Sequence, residues 1–126
     1  HLALIRNGHC LVAVEKHDRP IGFLAAGSRH GRLHIHEFSV HRDWQGKGVG
    51  GALLTRLAEM AREKGFRQLS LTTFSAVPWN RPFYQRRGFR VLNPPELPDD
   101  LRRLMEQEAR HGLSPDQRCA MVKDLL

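Results

Sequence analysis

The chain has 126 residues, enough for one domain, and its 40% hydrophobic and 26% charged residues are typical of a globular protein and argue against a disordered or low-complexity one. Because no apolar run approaches the roughly 20 residues of a membrane-spanning helix, and no signal peptide or disulfide framework is evident, we expect a cytoplasmic protein. The net charge of +7 favours a polyanionic partner, which nucleic acid, an anionic membrane surface or a small phosphorylated ligand could each provide.

The first third of the chain is predicted to form short strands. Residues 2–5 are interpreted as the tail of a helix that ends at Asn7-Gly8. Apolar, partly β-branched stretches at Cys10–Glu15, residues 21–26 and Arg32–Val40 predict three strands. Their connections are too short for a crossover helix, so we expect the strands to be antiparallel.

After these strands the hydrophobic spacing changes to that of a helix. Residues 48–64 place Val49, Leu53 and Leu57 on one stripe, and Gly65 is expected to end this helix. The remaining pattern predicts a strand at Gln68–Phe74, a short helix at 80–87 capped by Asn80 and ended by Gly88, a strand at 89–92, a helix at Asp99–Arg110 and a strand at 118–123. The sum is an α+β domain.

The segment between the third strand and the long helix is rich in glycine, with Gly46, Gly48, Gly50 and Gly51 close together. Glycines let the backbone approach a ligand closely, and the first N–H groups of a helix attract anions. The segment is therefore a candidate pyrophosphate site, to which Arg42 and Lys47 add full charges.

Two nucleotide motifs compete for this segment. Gly46-x-Gly48-x-x-Gly51 matches the dinucleotide fingerprint, but five residues separate it from the strand, and Thr72-Thr73-Phe74 stands where an acidic residue would be expected. A nucleotide P-loop is excluded, because no Gly-Lys-Ser/Thr follows a glycine at the required spacing.

A third pattern, Gln45-x-x-Gly48-x-Gly50, resembles the GNAT superfamily of acyl-CoA-dependent N-acetyltransferases. Asn80-x-x-Phe83-Tyr84-x-x-x-Gly88-Phe89 resembles the second hallmark of that family, and one helix plus one strand fit between the two. The resemblance covers about residues 9–92, and residues 97–126 resemble a bacterial subgroup with an extra helix before the last strand.

The resemblance implies a GNAT fold over residues 1–126, with a mixed, mostly antiparallel sheet, splayed central strands and flanking helices. The fold of that family begins with a strand and one or two helices before the meander. Only a predicted helix tail precedes Cys10, so we expect the N-terminal strand or helix to be missing from this chain.

The resemblance also implies acetyl-CoA as cosubstrate and no metal. In such enzymes the glycine turn binds the pyrophosphate through backbone N–H groups, the preceding strand pairs with the pantetheine arm, and an asparagine contacts that arm. The corresponding cofactor-binding residues here are Gln45, Gly46, Lys47, Gly48, Val49, Gly50 and Gly51 in the turn, Phe38, Ser39 and Val40 in the strand, and Asn80.

The catalytic residues follow from the same resemblance. Tyr84, the one tyrosine in the chain, falls on the position that protonates the departing thiolate, and its other interpretation is an aromatic core residue. Three alternatives are considered for the general base that deprotonates the amine, namely Glu37, a histidine (His36 or His34), and a water chain. Strict strand alternation places His36 on one face with His34 and Phe38, and Glu37 on the other, unless a β-bulge changes the parity.

The predicted function is transfer of an acetyl group from acetyl-CoA to a primary amine of a small molecule or peptide, by direct attack in a ternary complex. A catalytically silent acyl-CoA sensor of the same fold is the alternative, and a basic nucleic-acid-binding domain is a more distant one. We expect no membrane partner and no nucleic acid, because no recognised nucleic-acid module is present. The sequence does not decide whether the protein forms a homodimer. The run of Arg81, Arg86, Arg87 and Arg90 is either a contact for the CoA 3′-phosphate or a solvated face.

Overall fold

The computed structural model describes residues 2–75 and 77–126. The chain divides into two compact units, one formed by the described residues up to Leu69 together with Leu125–Leu126, and the other by Ser70–Asp124. Within the described residues, no helix is long and apolar enough to cross a membrane. The strands are β1 (Leu2–Asn7), β2 (Cys10–Glu15), β3 (Pro20–Arg29), β4 (Arg32–Val40), β5 (Gln68–Phe74), β6 (Arg90–Leu92) and β7 (Arg118–Asp124), and the α-helices are α1 (Val49–Glu63), α2 (Asn80–Gln85) and α3 (Asp99–Arg110).

The first unit is an antiparallel meander of β1 to β4 covered by α1. A Cβ built on Gly22 of β3 would lie 2.9 Å from Val49 Cγ1 and 3.1 Å from Leu53 Cδ1, so α1 packs directly on the β3 backbone. The apolar stripe predicted for α1 is buried there, since Leu53 and Leu57 have no exposed surface. The antiparallel arrangement predicted for β2, β3 and β4 is confirmed.

The prediction of a helix tail at residues 2–5 was wrong, because Leu2–Asn7 forms strand β1. β1 pairs with β2 in one unbroken register from Leu2 opposite Glu15 to Asn7 opposite Cys10. Gly8 has a φ of 61°, the left-handed conformation that a two-residue hairpin turn requires. Asn7-Gly8 therefore turns the chain into a hairpin instead of ending a helix.

A β-bulge in β4 changes which side chains share a face. Ala25 lies opposite Glu37, but Ala26 lies opposite Ile35, so His36 is the extra residue. As a result Glu37 falls on the same face as His34, and Phe38 falls on the opposite face with Leu24. Strict alternation, which separates Glu37 from His34, does not apply to this strand.

The turn between β2 and β3 is held by a buried carboxylate. Glu15, which is 4% exposed, accepts hydrogen bonds at Oε1 from His17 N at 2.8 Å, Arg19 N at 3.3 Å and Arg19 Nε at 3.2 Å. Burial acts to raise the pKa of this carboxyl, but the hydrogen bonds and charge of Arg19 outweigh it, and the pKa lies below its ordinary value. Ionised Glu15 therefore stabilises the turn.

We expect Glu15→Gln to lower the free energy of unfolding near neutral pH. In acid the difference between the two proteins should disappear. A depressed folded-state pKa stabilises the fold above the unfolded-state pKa, and this contribution disappears as the pH falls through the folded-state pKa. Denaturant unfolding of both proteins from about pH 7 down to about pH 3 measures it. A difference between the two proteins that does not depend on pH would contradict this role of the carboxylate.

The second unit contains β5 from Ser70 onward, together with β6, β7, α2 and α3, and β7 lies between β5 and β6. β6 and β7 are antiparallel, with Arg90 opposite Val122. Their core packs against α3, which has the predicted bounds. The members of this core are Leu92, Leu101, Ala120 and Val122, with Leu97, Leu104 and Met105 at its margin. The α+β class predicted for the chain is confirmed.

Candidate cofactor and catalytic site

The segment that joins β4 to α1 is fixed by hydrogen bonds at both ends. His41 N donates to Ile21 O at 2.7 Å, and His41 Nδ1 accepts from Asp43 N at 3.1 Å at the start of a 3₁₀ turn over Arg42–Trp44. Gln45 Nε2 donates to Val40 O at 3.0 Å, which ties the end of this turn back to β4. The glycines that follow therefore start from a defined position beside the end of the strand.

Two of these glycines adopt conformations that other residues disfavour. Gly46 and Gly48 have φ values of 77° and 86°, and a Cβ built on either would meet nothing within 4 Å. The backbone here is thus both left-handed and open on the side where a side chain would stand. A ligand can therefore approach the backbone of this turn closely.

The N-terminus of α1 follows directly. The first helical hydrogen bond runs from Ala52 N to Gly48 O at 3.0 Å, so the N–H groups of Val49, Gly50 and Gly51 lie in the turn that has no acceptors within the helix. Gly48 provides no side-chain cap, and the first turn of α1 contains no acidic residue. The positive end of the helix dipole is therefore not compensated by a side chain of that turn, which suits a bound anion.

The side chains of Lys47 and Arg42 are exposed, whereas the backbone N–H of Gln45 is engaged within the turn. Lys47 Nζ lies 5.4 Å from the centroid of the Trp44 ring, and both Lys47 and Arg42 are exposed. The backbone N–H of Gln45, one of the predicted pyrophosphate ligands, donates to Arg42 O at 3.3 Å within the turn.

The predicted pantetheine strand is the last part of β4. Phe38 and Val40 are half-buried and Ser39 is exposed, and they pair with Leu24, Gly22 and Phe23 of β3 respectively. The bulge at His36 lies just before this stretch. It sets the face of all three residues.

The candidate bases on β4 lie together but differ in exposure. His34 is 3% exposed, whereas His36 and Glu37 are exposed. The His34 and His36 rings are in edge contact, 5.4 Å apart between centroids, and a Cβ on Gly27 would lie 2.6 Å from His36 Nε2. The imidazole of His36 thus lies over the backbone of β3. Among the described residues, no three His, Cys, Asp or Glu side chains are grouped so as to hold a metal ion.

In the second unit, Asn80 does not have the role predicted for its side chain. The N-cap of α2 is Trp79, which makes no side-chain capping bond, and Asn80 is the first helical residue. The side-chain amide of Asn80 donates from Nδ2 to Thr73 Oγ1 of β5 at 3.1 Å. The prediction that Asn80 caps the helix was wrong, because Trp79 occupies the N-cap position and Asn80 is already a helical residue.

Tyr84 lies four residues further along α2 in a cluster of aromatic rings. Its ring is 5.2 Å from that of Phe83 and 5.6 Å from that of Phe89, both edge-on. Burial raises the pKa of the Tyr84 phenol above its ordinary value of 10. The phenol is consequently protonated throughout the neutral range, as a proton donor must be.

The basic run around α2 is partly engaged in internal contacts. The Arg87 guanidinium stacks over the Phe83 ring at 3.9 Å, and Arg90 forms ion pairs with Glu96 and Asp124 at 3.6 and 3.7 Å. Arg81 and Arg86 are exposed. Of the four arginines, these two remain as candidates for an anion contact.

Each unit therefore brings part of the predicted site together. The first gathers the glycine turn, the end of β4 and the candidate bases, and the second gathers Asn80 and Tyr84 on α2. Sequence reasoning overlooked Thr73, although a threonine pair shortly before the Asn80 motif could have drawn attention to it. It also overlooked Gly27, whose missing side chain accommodates the His36 ring.

Comparisons with known proteins show the family of the chain. The family model described as the acetyltransferase (GNAT) family matches residues 1–89. The chain is 31% identical to the amino-acid acetyltransferase of Salmonella typhi over 72 residues. This aligned stretch is 57% of this chain and 15% of that protein, so the chain spans a small part of the length of this relative.

Solved structures share the fold. A GNAT-family acetyltransferase from Staphylococcus aureus Mu50 superimposes with a TM-score of 0.72 at 15% identity, covering 93% of this chain and 67% of that one. The PaiA N-acetyltransferase of Thermoplasma acidophilum, solved in complex with coenzyme A, gives 0.70 at 16% identity over 91% of this chain and 59% of its own. With the family model matching well over half of its residues, the chain belongs to the GNAT acetyltransferase family.

Proposed function

We propose that this chain transfers an acetyl group from acetyl-CoA to a primary amine by direct attack within a ternary complex. The observation that carries the proposal is the glycine turn, where Gly46 and Gly48 leave open space in front of an α-helix that has neither a side-chain cap nor an acidic residue in its first turn. Such a helix start stabilises a pyrophosphate through backbone N–H groups and the helix dipole. The solved relative that holds coenzyme A supports the same ligand.

The remaining cofactor contacts are assigned along the length of acetyl-CoA. Backbone N–H groups of residues 46–51 take the pyrophosphate, and Phe38, Ser39 and Val40 pair with the pantetheine arm, which Asn80 also contacts. Exposed Lys47 and Arg42 add positive charge near the phosphates. Gln45 contributes chiefly through its side chain, whose bond to Val40 O fixes the turn.

In the reaction, the amine nitrogen attacks the thioester carbonyl carbon, the C–S bond breaks, the amine loses a proton and the thiolate gains one. Tyr84 supplies the proton to the thiolate, because its raised pKa keeps the phenol protonated. Glu37 takes the proton from the amine, and His36 or a water chain is the alternative route. Orientation of the two reactants contributes most, since effective molarity supplies about 7–11 kcal/mol in favourable cases, against roughly 10²–10⁴-fold from general base catalysis.

The first test is release of free CoA thiol from acetyl-CoA in the presence of a panel of amines that includes amino acids, polyamines and peptides. We expect thiol release above the hydrolysis background with at least one amine class, together with an acetylated product of the corresponding mass. Saturable acetyl-CoA binding without turnover on any amine would favour the silent sensor. The absence of both would refute the proposal.

Glu37→Gln is expected to slow turnover by roughly a hundredfold at neutral pH, at the low end of the range for general base catalysis. Raising the pH should partly restore the rate, because more of the amine is then already neutral. Glu59→Gln, which changes an exposed carboxylate on α1, is the matched control and should leave the rate unchanged. If His36→Gln loses activity with this pH dependence and Glu37→Gln does not, His36 is the base.

A further inference from the structure

The side chain of Asn80 is the starting point for an inference that rests on the proposed function and deepens it. An asparagine at the start of a helix ordinarily caps it by accepting from a backbone N–H. Here the amide nitrogen of Asn80 instead donates to Thr73 Oγ1 at 3.1 Å, and its own backbone N–H donates to Val77 O at 3.2 Å. The side chain is thus directed to the strand and not to its own helix.

In this contact the amide of Asn80 uses its nitrogen. Because Nδ2 points to Thr73, the carbonyl oxygen Oδ1 lies at the opposite end of the planar amide. Among the described residues, none donates a hydrogen bond to Asn80 Oδ1. The amide thus presents an acceptor, and the pantetheine arm of acetyl-CoA offers amide N–H donors.

Thr73 is well placed to impose this orientation. It is 8% exposed on β5, so its hydroxyl is held by the strand and is largely shielded from competing water. Thr72, the next residue, points its hydroxyl to another partner, since Thr72 Oγ1 donates to Glu108 Oε2 at 2.8 Å and accepts from Arg118 Nη2 at 2.9 Å. The two adjacent threonines therefore serve different elements, α2 and α3.

We propose that Thr73 is a positioning residue for acetyl-CoA, which holds the Asn80 amide so that its carbonyl oxygen accepts a hydrogen bond from an amide N–H of the pantetheine arm. Thr73 itself does not touch the cofactor. Thr73 affects the affinity for the pantetheine arm, and it affects acetyl transfer only through that affinity.

The test compares Thr73→Val, Thr73→Ser and Thr72→Val. Valine keeps the shape of threonine but accepts no hydrogen bond, so Thr73→Val should weaken acetyl-CoA binding by about 3- to 10-fold, the equivalent of one neutral hydrogen bond, and raise KM for acetyl-CoA more than it lowers kcat. Thr73→Ser keeps the hydroxyl and should restore the affinity. Thr72→Val should lower the unfolding temperature, because it removes a partner of Glu108 and Arg118, yet leave acetyl-CoA affinity unchanged.

A second ligand separates this role from a general loss of structure. 3′-Phosphoadenosine 5′-diphosphate carries the phosphates of CoA without the arm, so calorimetry should show equal affinity for it in wild type and Thr73→Val. Equal loss of affinity for both ligands, or no loss for acetyl-CoA, would overturn the positioning role while leaving the proposed function intact. If the wild-type protein binds neither ligand, the proposed function fails as well.

Discussion

Tyr84→Phe is expected to lower kcat by roughly 10- to 1,000-fold, reaching the lower part of the roughly 10²–10⁴-fold range of general acid catalysis, while changing acetyl-CoA affinity little. The substitution keeps the aromatic ring and therefore its edge contacts with Phe83 and Phe89, but removes the hydroxyl. A thiolate leaves more readily when a proton arrives as the C–S bond breaks. Without the phenol that proton must come from a less well placed donor.

The pH dependence of the wild-type protein adds a second measurement to this prediction. Burial raises the pKa of Tyr84 above 10, so the phenol is in its donor form across the neutral and mildly alkaline range. We therefore expect no loss of kcat from ionisation of Tyr84 as the pH rises through about 9. Pre-steady-state measurements of thiol release show whether chemistry is limiting in both proteins.

Thermal unfolding is the control for Tyr84→Phe, because a shared unfolding temperature excludes loss of the aromatic cluster as the cause. Wild-type turnover by Tyr84→Phe, under conditions where chemistry limits the rate, would show that water or the acceptor amine protonates the thiolate. Tyr84 would then be a packing residue beside Phe89.

Local patterns sufficed for the elements whose character is set within their own residues. β2, β4, β5 and α3 have the predicted bounds, because β-branched runs or an amphipathic stripe identify them without reference to neighbours. The position of the glycine turn could also be predicted from local sequence, because its closely spaced glycines lie between a strand pattern and a helix pattern.

The errors arise where distant residues decide the outcome. The strand at Leu2–Asn7 exists because β2 pairs with it, and its six residues carry no strong preference of their own. The bulge at His36 is an exception to strict alternation that the sequence leaves open, because it depends on how β3 and β4 are registered, which the alternation within β4 cannot reveal. Asn80 is a residue type that favours the N-cap position, but Trp79 occupies that position, and the Asn80 side chain donates to Thr73 on another element.

Gly48→Glu is expected to abolish saturable binding of acetyl-CoA while the protein remains folded. Two effects act together at this position. The carboxylate would stand at the positive end of the α1 dipole, where it satisfies the helix and repels the pyrophosphate. The new side chain would also fill the space that is open in front of Gly48. Calorimetric titration with acetyl-CoA measures the loss, and circular dichroism with thermal unfolding reports on the fold.

The chain offers a matched control for backbone strain at the other end of the same helix. Gly65 has a φ of 82°, close to the 86° of Gly48, and a Cβ on either would meet nothing within 4 Å. Gly65→Glu therefore introduces the same charge and a similar strain of about 1–2 kcal/mol, but away from the turn. It should bind acetyl-CoA as the wild type does, and its carboxylate, at the negative end of the dipole, should make it less stable than Gly48→Glu. Wild-type affinity in Gly48→Glu would show that the pyrophosphate is not bound at this turn, and equal loss of binding in both variants would attribute the effect to strain in α1 instead of to the ligand.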